Sequence, residues 1–167
     1  MLYKAGSLIL LVFMIMINVS CSNEPKTNSF NEVEEKINNY NNVFDVNNFN
    51  KKEVNLNEIT SQGGTVIGYY EDTKLKHMVT TFFGEIGKKL YYYYFIDESL
   101  TYFEEIDIKY DKPIYEEGSK ILQETIKKYI VLNDKLFEYK EKTRELQNIK
   151  GASNHLDILN RAKEALK

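Results

Sequence analysis

The most reactive side chains in this sequence are one thiol and two imidazoles. Cys21 is the only cysteine, and His77 and His155 are the only histidines. A thiolate is a nucleophile and a metal ligand, and histidine is the usual acid–base group near neutral pH. The two histidines are far apart, and no cysteine is available to join them in a zinc site. We therefore expect structural histidines and no metal site; a two-histidine site completed by a carboxylate is the alternative.

Carboxylates form the second group that could do chemistry. Six of them cluster near one predicted strand end: Glu104, Glu105, Asp107, Asp111, Glu116 and Glu117. Paired acids can hydrolyse glycosides, and carboxylate oxygens can bind Ca²⁺. No Asp-x-Asp-x-Asp-Gly calcium loop is present, and Glu105 and Asp107 alternate with isoleucines as in a solvated strand face. We predict surface acids here and keep an envelope hydrolase or calcium-binding module as the third functional hypothesis.

Motifs for nucleophilic catalysis and for phosphate binding are missing from the sequence. There is no G-x-S-x-G elbow, no G-x-x-x-x-G-K loop and no G-x-G-x-x-G loop. Because no residue can be assigned a catalytic role, we expect a protein that is not an enzyme and that uses no cofactor.

An aromatic run from Tyr91 to Phe95 is the most unusual feature of the rest of the chain. Successive side chains of a strand point to opposite faces, so Tyr91, Tyr93 and Phe95 share one face. Exposed tyrosines favour binding because they combine a large apolar area with a hydroxyl group. That face is either covered by a helix or exposed beside Tyr69. We treat Tyr69, Tyr91, Tyr93 and Phe95 as the candidate binding residues.

The N-terminus has the organisation of a secretory signal. Lys4 is followed by an uninterrupted apolar segment, residues 8–17, and then by Asn18-Val19-Ser20-Cys21. The apolar segment is half the length of the roughly 20 residues that a helix needs to span a bilayer. The motif resembles the lipobox of bacterial lipoproteins, with Asn18 in the place of the usual leucine.

The lipobox resemblance implies that residues 1–20 are removed as a signal peptide and that Cys21 carries acyl chains. It also implies a location in the bacterial cell envelope, lipid-anchored on the periplasmic side or the cell surface. Acyl chains bind membranes because each buried methylene contributes about 0.8 kcal/mol. Residues 21–29 would then be a polar, acylated tether, and residues 30–167 would form a single domain of ordinary size.

The periodicity of the remaining chain predicts helices and strands. A capping box at Ser29–Glu32 precedes a helical pattern at about 30–40, and nine asparagines between 38 and 57 indicate a loop. A helix is predicted at 116–127, with Ile121, Leu122 and Ile126 on its buried side. A terminal helix begins near Asn154 after a polar stretch, and one of its faces carries Leu156, Leu159, Ala162 and Leu166. The predicted strands cover about 65–70, 75–83, 90–96, 100–110, 129–132 and 136–139.

Three predicted turns share a pattern in which an acid or amide is followed three residues later by leucine. They are Asp72–Leu75, Asp97–Leu100 and Asn133–Leu136. Asp and Asn initiate turns, and the leucine would be the first side chain to point back into the core. The pattern is similar to MORN-type hairpin repeats, although those carry glycine in the turn, and the body of the chain resembles uncharacterised hairpin-rich lipoproteins. We predict an α+β fold: an antiparallel β-meander of about six strands with short flanking helices.

The function that we expect is non-catalytic binding by a membrane-tethered lipoprotein of the cell envelope. Its membrane contact is the lipid anchor at Cys21, and its candidate partner is another envelope protein. The whole chain has a net charge of −3, and Lys4 is the only charged residue among the first 20, so the remainder carries −4. Nucleic acid is excluded as a partner because phosphate binding requires clustered Lys and Arg. The alternative is an inhibitor or immunity-type protein against an envelope enzyme or toxin.

Overall fold

The computed structural model describes residues 45–56, 62–133, 135–140, 142–143, 145–149 and 153–167, and six separate positions between 31 and 39. The predicted signal peptide and tether, with Cys21, lie outside these residues. The described elements are a 3-10 helix (Val46–Asn48), eight strands and one helix, α1 (Ser153–Ala165). The strands are β1 (Asn50–Asn55), β2 (Gly64–Glu71), β3 (Lys74–Gly84), β4 (Gly87–Ile96), β5 (Ser99–Tyr110), β6 (Ile121–Leu132), β7 (Lys135–Lys140) and β8 (Glu145–Asn148).

The eight described strands form one antiparallel sheet in which each strand pairs with its neighbours in the sequence. The spatial order β1 to β8 is therefore an uninterrupted meander. This confirms the antiparallel meander expected from the sequence. The expected number of six strands is wrong, because the sheet also contains β1 and β8.

The two unpredicted strands are the two edges of the described sheet. β1 lies inside the asparagine-rich stretch that predicted a loop, and only Val54 in it is partly buried. β8 lies in the polar stretch before the terminal helix and is exposed apart from Leu146. Main-chain pairing with β2 and β7 defines both strands. Edge strands are often polar and charged because such edges resist pairing with other chains. A strand without alternating apolar residues gives no hydrophobic periodicity, so the sequence pattern does not reveal it.

A strand replaces the helix predicted at 116–127. Residues 111–120 form a loop, and β6 begins at Ile121. The apolar residues expected to face the core from that helix, Ile121, Leu122 and Ile126, are exposed. Pairing with β5 sets the conformation, because a main-chain ladder outweighs a weak local helical period.

The three hairpin turns with the shared pattern occur where the sequence predicted them. Four residues in these turns have positive φ angles between 49° and 62°: Asp72, Asp97, Glu98 and Asn133. Asp and Asn tolerate this conformation better than most residues do. The leucines that follow the turns join the core as expected, with Leu136 buried and Leu75 and Leu100 packed against the buried cluster.

Helix α1 packs on one face of the sheet, here called the helix-covered face. The predicted terminal helix is therefore present, and Leu159 and Ala162 of α1 contribute to the main core. The sheet contributes large side chains to the same cluster, among them Tyr93 and Phe103. Leu156, which the periodicity placed on the buried side of the helix, is exposed.

The end of α1 is fastened to the first strand of the sheet. Lys52 on β1 donates hydrogen bonds to the carbonyl oxygens of Leu166 (2.7 Å) and Lys167 (3.1 Å). A cation at a helix C-terminus satisfies free carbonyl groups and complements the helix dipole. The helix thus joins β1 to the strands in the middle of the sheet.

The opposite face of the sheet carries a smaller cluster around Tyr102 and Ile130. The six described positions between 31 and 39 are helical, in agreement with the helix predicted at 30–40. The apolar residues that would form the buried side of that helix lie outside the described residues.

Candidate functional site

The tyrosine face that the sequence singled out is covered by α1. Tyr91, Tyr93 and Phe95 are 3%, 0% and 1% exposed and belong to the main core. Lys163 of α1 lies over the Phe95 ring at 5.2 Å from its centroid. Of the two arrangements that the sequence left open, the covered one occurs, so these three residues cannot form an exposed binding surface.

Tyr69 lies on the other face of the sheet and does not join the three buried aromatic residues. It pairs across the ladder with His77, and their ring centroids are 5.5 Å apart. His77 is only 4% exposed, and its Nδ1–H donates to the carbonyl oxygen of Tyr93 at 2.9 Å. Burial lowers the pKa of His77 to about 4, although this hydrogen bond opposes the shift. The histidine is therefore neutral at physiological pH.

Glu105 departs most clearly from the predicted solvated strand face. It is 7% exposed and lies on the helix-covered face. Its carboxylate is 3.1 Å from Lys89 Nζ, and it accepts a long hydrogen bond of 3.4 Å from the hydroxyl of Tyr129. Lys89 also contacts Asp107 at 3.5 Å. A buried carboxylate requires such a partner because desolvation disfavours its charge.

Burial alone would lower the pKa of Lys89. Its hydrogen bonds and charge interactions with Glu105 and Asp107 outweigh this effect, so the pKa of Lys89 is raised. The lysine therefore stays charged and neutralises part of the negative charge of the two carboxylates.

The start of α1 places His155 beside this charged group. His155 Nδ1 is 3.6 Å from the Glu105 carboxylate, which is too far for a hydrogen bond. Burial lowers the pKa of His155, and the effect of Lys89 and Lys127 adds to it, while Glu105 opposes it. The ring packs on Tyr129 with centroids 4.9 Å apart. The imidazole is thus neutral and contacts the sheet mainly through its ring.

An open apolar groove lies next to this charged group. It has a volume of about 640 Å³ and lies between the turn that joins β3 to β4 and the first half of α1. Its apolar wall comes from β3, the β3–β4 turn, β4 and α1: Phe82, Phe83, Ile86, Tyr91 and Ile158 line it. Gly87 lets the turn approach β5 closely, because a Cβ at this position would lie 2.7 Å from the carbonyl oxygen of Ile108.

A small polar pocket of about 140 Å³ adjoins the groove. Lys89, Asp107 and Lys109 line both cavities, so the two lie side by side. The rest of the polar pocket is formed by Glu105, Gln123, Thr125 and Lys127. The combined site is therefore apolar at one end and charged at the other, and we call it the groove and its polar pocket.

The carboxylates grouped by the sequence do not converge on one centre. Glu104 points to the face opposite Glu105, where it accepts a hydrogen bond from the hydroxyl of Tyr102. Asp111 accepts a hydrogen bond from the backbone N–H of Lys120 at 2.9 Å. Among the described residues, no group of three or more His, Cys, Asp or Glu side chains is placed to hold a metal ion. The geometry supports binding of a ligand with apolar and polar parts.

The fold and the site define a single-sheet β-meander with one covering helix and an open groove. No protein-family model matches this chain, and no curated protein or solved structure shows significant similarity to it. Within the described part of the chain, no helix combines the length and the apolar character that crossing a bilayer requires.

Proposed function

We propose that this protein is a non-catalytic, membrane-tethered binding lipoprotein of the bacterial cell envelope. Acyl chains on Cys21 anchor it, and its ligand enters the groove between the β3–β4 turn and α1. The observation that carries the binding role is the groove itself, an apolar cavity that opens beside a partly neutralised charge cluster. Its volume of about 640 Å³ lies within the range of small-molecule sites.

The residues around the groove supply the binding free energy. Each square ångström of apolar surface removed from water contributes about 25 cal/mol. Ile86 lines the groove and is 56% exposed, so its apolar surface can be buried by a ligand. Strands β3 to β5 and Ile158 of α1 hold the wall in place before the ligand arrives. A preformed wall reduces the ordering cost of binding.

The groove is tested with Nile red, a neutral apolar dye, and residues 21–167 carrying Cys21→Ser, so that no attached acyl chain competes. We expect saturable binding of one dye per chain. Replacing Ile86 with Ser removes apolar contact from the rim, and we expect about tenfold weaker binding. Ile126→Ser is the matched control, because Ile126 is 50% exposed and lies outside the groove. Absence of saturable binding, or equal loss in both variants, would contradict the proposal.

The membrane anchor is tested separately in cells that express the full chain. We expect an alkyne-labelled fatty acid to be incorporated into the protein and the membrane fraction to contain it. Cys21→Ser should abolish the label and leave the signal uncleaved, because the thiol is the acylated group. Retention of the label in that variant would show that the anchor is elsewhere.

A second candidate function is binding to another envelope protein through exposed apolar side chains near the groove. The loop before β6 carries Ile114 and Tyr115, and Leu122 follows at the start of that strand. Tyrosine and large aliphatic side chains of this kind are frequent at protein interfaces. We expect crosslinking in membranes with the full chain to capture one stoichiometric partner, and Tyr115→Ser to remove it.

Leu156→Ser is the control for this second candidate, because Leu156 is an exposed leucine on α1 outside the loop. A captured enzyme or toxin that is inhibited by the protein would give the interaction an inhibitory or immunity role. Capture that survives Tyr115→Ser would place the interface elsewhere on the protein.

A further inference from the structure

We infer that the groove binds a single-chain amphiphile with a carboxylate head, a fatty acid, with its chain in the groove and its head in the polar pocket. This inference rests on the proposed function, because it specifies the ligand of the same site. Its basis is the position of an apolar cavity of about 640 Å³ directly beside a polar one of about 140 Å³, with Lys89, Asp107 and Lys109 lining both. A ligand that fills both must have an apolar and a polar part.

The charges of the polar pocket select an anion. Three lysines and two carboxylates line it: Lys89, Lys109, Lys127, Glu105 and Asp107. Lys89 is engaged with both carboxylates, at 3.1 Å and 3.5 Å. Lys109 and Lys127 form no ion pair within the described residues, so the pocket has one positive charge in excess.

An excess of one positive charge matches a monoanion better than a dianion. A carboxylate carries one negative charge, whereas a phosphate monoester carries about 1.5 to 2 near neutral pH. The volume of the polar pocket is also sufficient for a small head group only. These two observations favour a fatty-acid carboxylate over a phosphate head.

The neutral side chains of the pocket complete the hydrogen bonding of the head. Gln123 Nε2 donates to Thr125 Oγ1 at 3.3 Å, which leaves the hydroxyl hydrogen of Thr125 available as a donor. The head would thus meet two ammonium groups, those of Lys109 and Lys127, and the hydroxyl of Thr125 in the polar pocket. The chain would continue along Tyr91 and Phe82 toward Ile86.

The test compares myristate with myristyl alcohol, which has the same chain and an uncharged head. Both are titrated at neutral pH against bound Nile red, with residues 21–167 carrying Cys21→Ser. We expect myristate to bind about tenfold more tightly than the alcohol, because its head makes charge-assisted hydrogen bonds. Added salt should weaken the binding of myristate and leave that of the alcohol unchanged.

Two lysine variants locate the head group. We expect Lys109→Met with Lys127→Met to remove most of the preference for myristate while the affinity for the alcohol is kept. Lys74→Met is the matched control, because Lys74 is an exposed lysine at the opposite end of β3.

The outcomes separate the inference from the proposed function. Equal binding of acid and alcohol would overturn the anionic head, and a preference that survives the double lysine variant would overturn its placement in the polar pocket; either result would leave the groove as a site. Tighter binding of lysophosphatidic acid than of myristate would overturn the carboxylate and favour a phosphate head. If myristate, myristyl alcohol, lysophosphatidic acid and Nile red all fail to bind, the proposed function itself is overturned.

Discussion

The two ends of this sheet are built from different side chains. At one end, here called the turn end, three tight hairpins place exposed polar residues at positive φ: Asp72, Asp97, Glu98 and Asn133. At the other, the groove end, the connections and the strand ends beside them expose large apolar side chains: Phe83, Ile86, Ile114, Tyr115, Ile121 and Leu122. Apolar exposure concentrated in this way is typical of binding surfaces. The turn end therefore closes the fold with polar residues, whereas the groove end leaves apolar surface exposed.

The largest effect that we expect concerns His77, which lies toward the turn end. Its pKa falls from an ordinary value of 6.5 to about 4 in the folded chain. As the pH drops below 6.5, the unfolded chain takes up the proton first, so the free energy of unfolding decreases until about pH 4. The loss should reach about 3 kcal/mol. Urea unfolding at a series of pH values measures it.

His77→Gln is the control for this pH dependence. Glutamine keeps a donor for the carbonyl oxygen of Tyr93 but does not titrate in this range. The difference between the two proteins isolates the histidine from the carboxylates that also titrate in acid. An equally steep acid limb in the variant would show that His77 is not responsible.

The next largest effect concerns the stability contributed by two acids near the groove end, Glu105 and Asp107. Glu105→Gln removes the buried negative charge that holds Lys89 and the hydroxyl of Tyr129. We expect a loss of about 2 kcal/mol in the free energy of unfolding, because hydrogen bonds to charged groups are stronger than neutral ones. Asp107 contacts the same lysine from a more exposed position. We therefore expect Asp107→Asn to lower the free energy of unfolding by less than about 1 kcal/mol. Equal losses in urea unfolding would remove the distinction between the two acids.

The smallest changes in the free energy of unfolding are expected for glycine substitutions at one turn residue from each end of the sheet. Glu98 has a φ of 62°, so Glu98→Gly gives an Asp-Gly turn and should raise the free energy of unfolding by about 0.5 kcal/mol. Glu85 lies in the β3–β4 turn and does not have a positive φ. Glu85→Gly should therefore lower stability by about 0.5 kcal/mol, because glycine gains entropy in the unfolded chain. Thermal unfolding of both variants checks the opposite signs, and the same sign in both would contradict this account.

The middle of the fold could be predicted from the sequence, and the edges could not. Strands β2 to β5 are rich in β-branched and aromatic residues and are separated by turns that begin with Asp72 and Asp97 or are flanked by Gly84 and Gly87, so both signals agreed. β1 is Asn-Lys-Lys-Glu-Val-Asn and depends on hydrogen bonds to β2, for which a single strand carries no side-chain signal. The prediction for the start of β6 was wrong for a different reason: the spacing of its exposed isoleucines resembles the apolar side of a helix.

The site was predicted less well than the fold because it depends on which face each strand turns to α1. The alternation of Glu105 with isoleucines was correct, and Ile108 is buried as that pattern implies, but the prediction that Glu105 is solvated was wrong. Pairing of Glu105 with Tyr91 in the ladder puts this acid on the helix-covered face. One signal for the groove was present in the sequence. Ile86 lies between Gly84 and Gly87 in a short turn, where a polar residue is usual.

The attachment of α1 to β1 has a consequence for how the chain assembles. Each described strand pairs with its neighbour in the sequence, so the sheet can grow hairpin by hairpin as the chain is synthesised. The bonds from Lys52 to Leu166 and Lys167 span more than 110 residues and form only when synthesis has passed α1. A chain that stops before α1 would display Tyr91, Tyr93 and Phe95 to solvent. Exposed hydrophobic surface makes a folding intermediate prone to aggregate, so the docking of α1 is the step that removes this hazard.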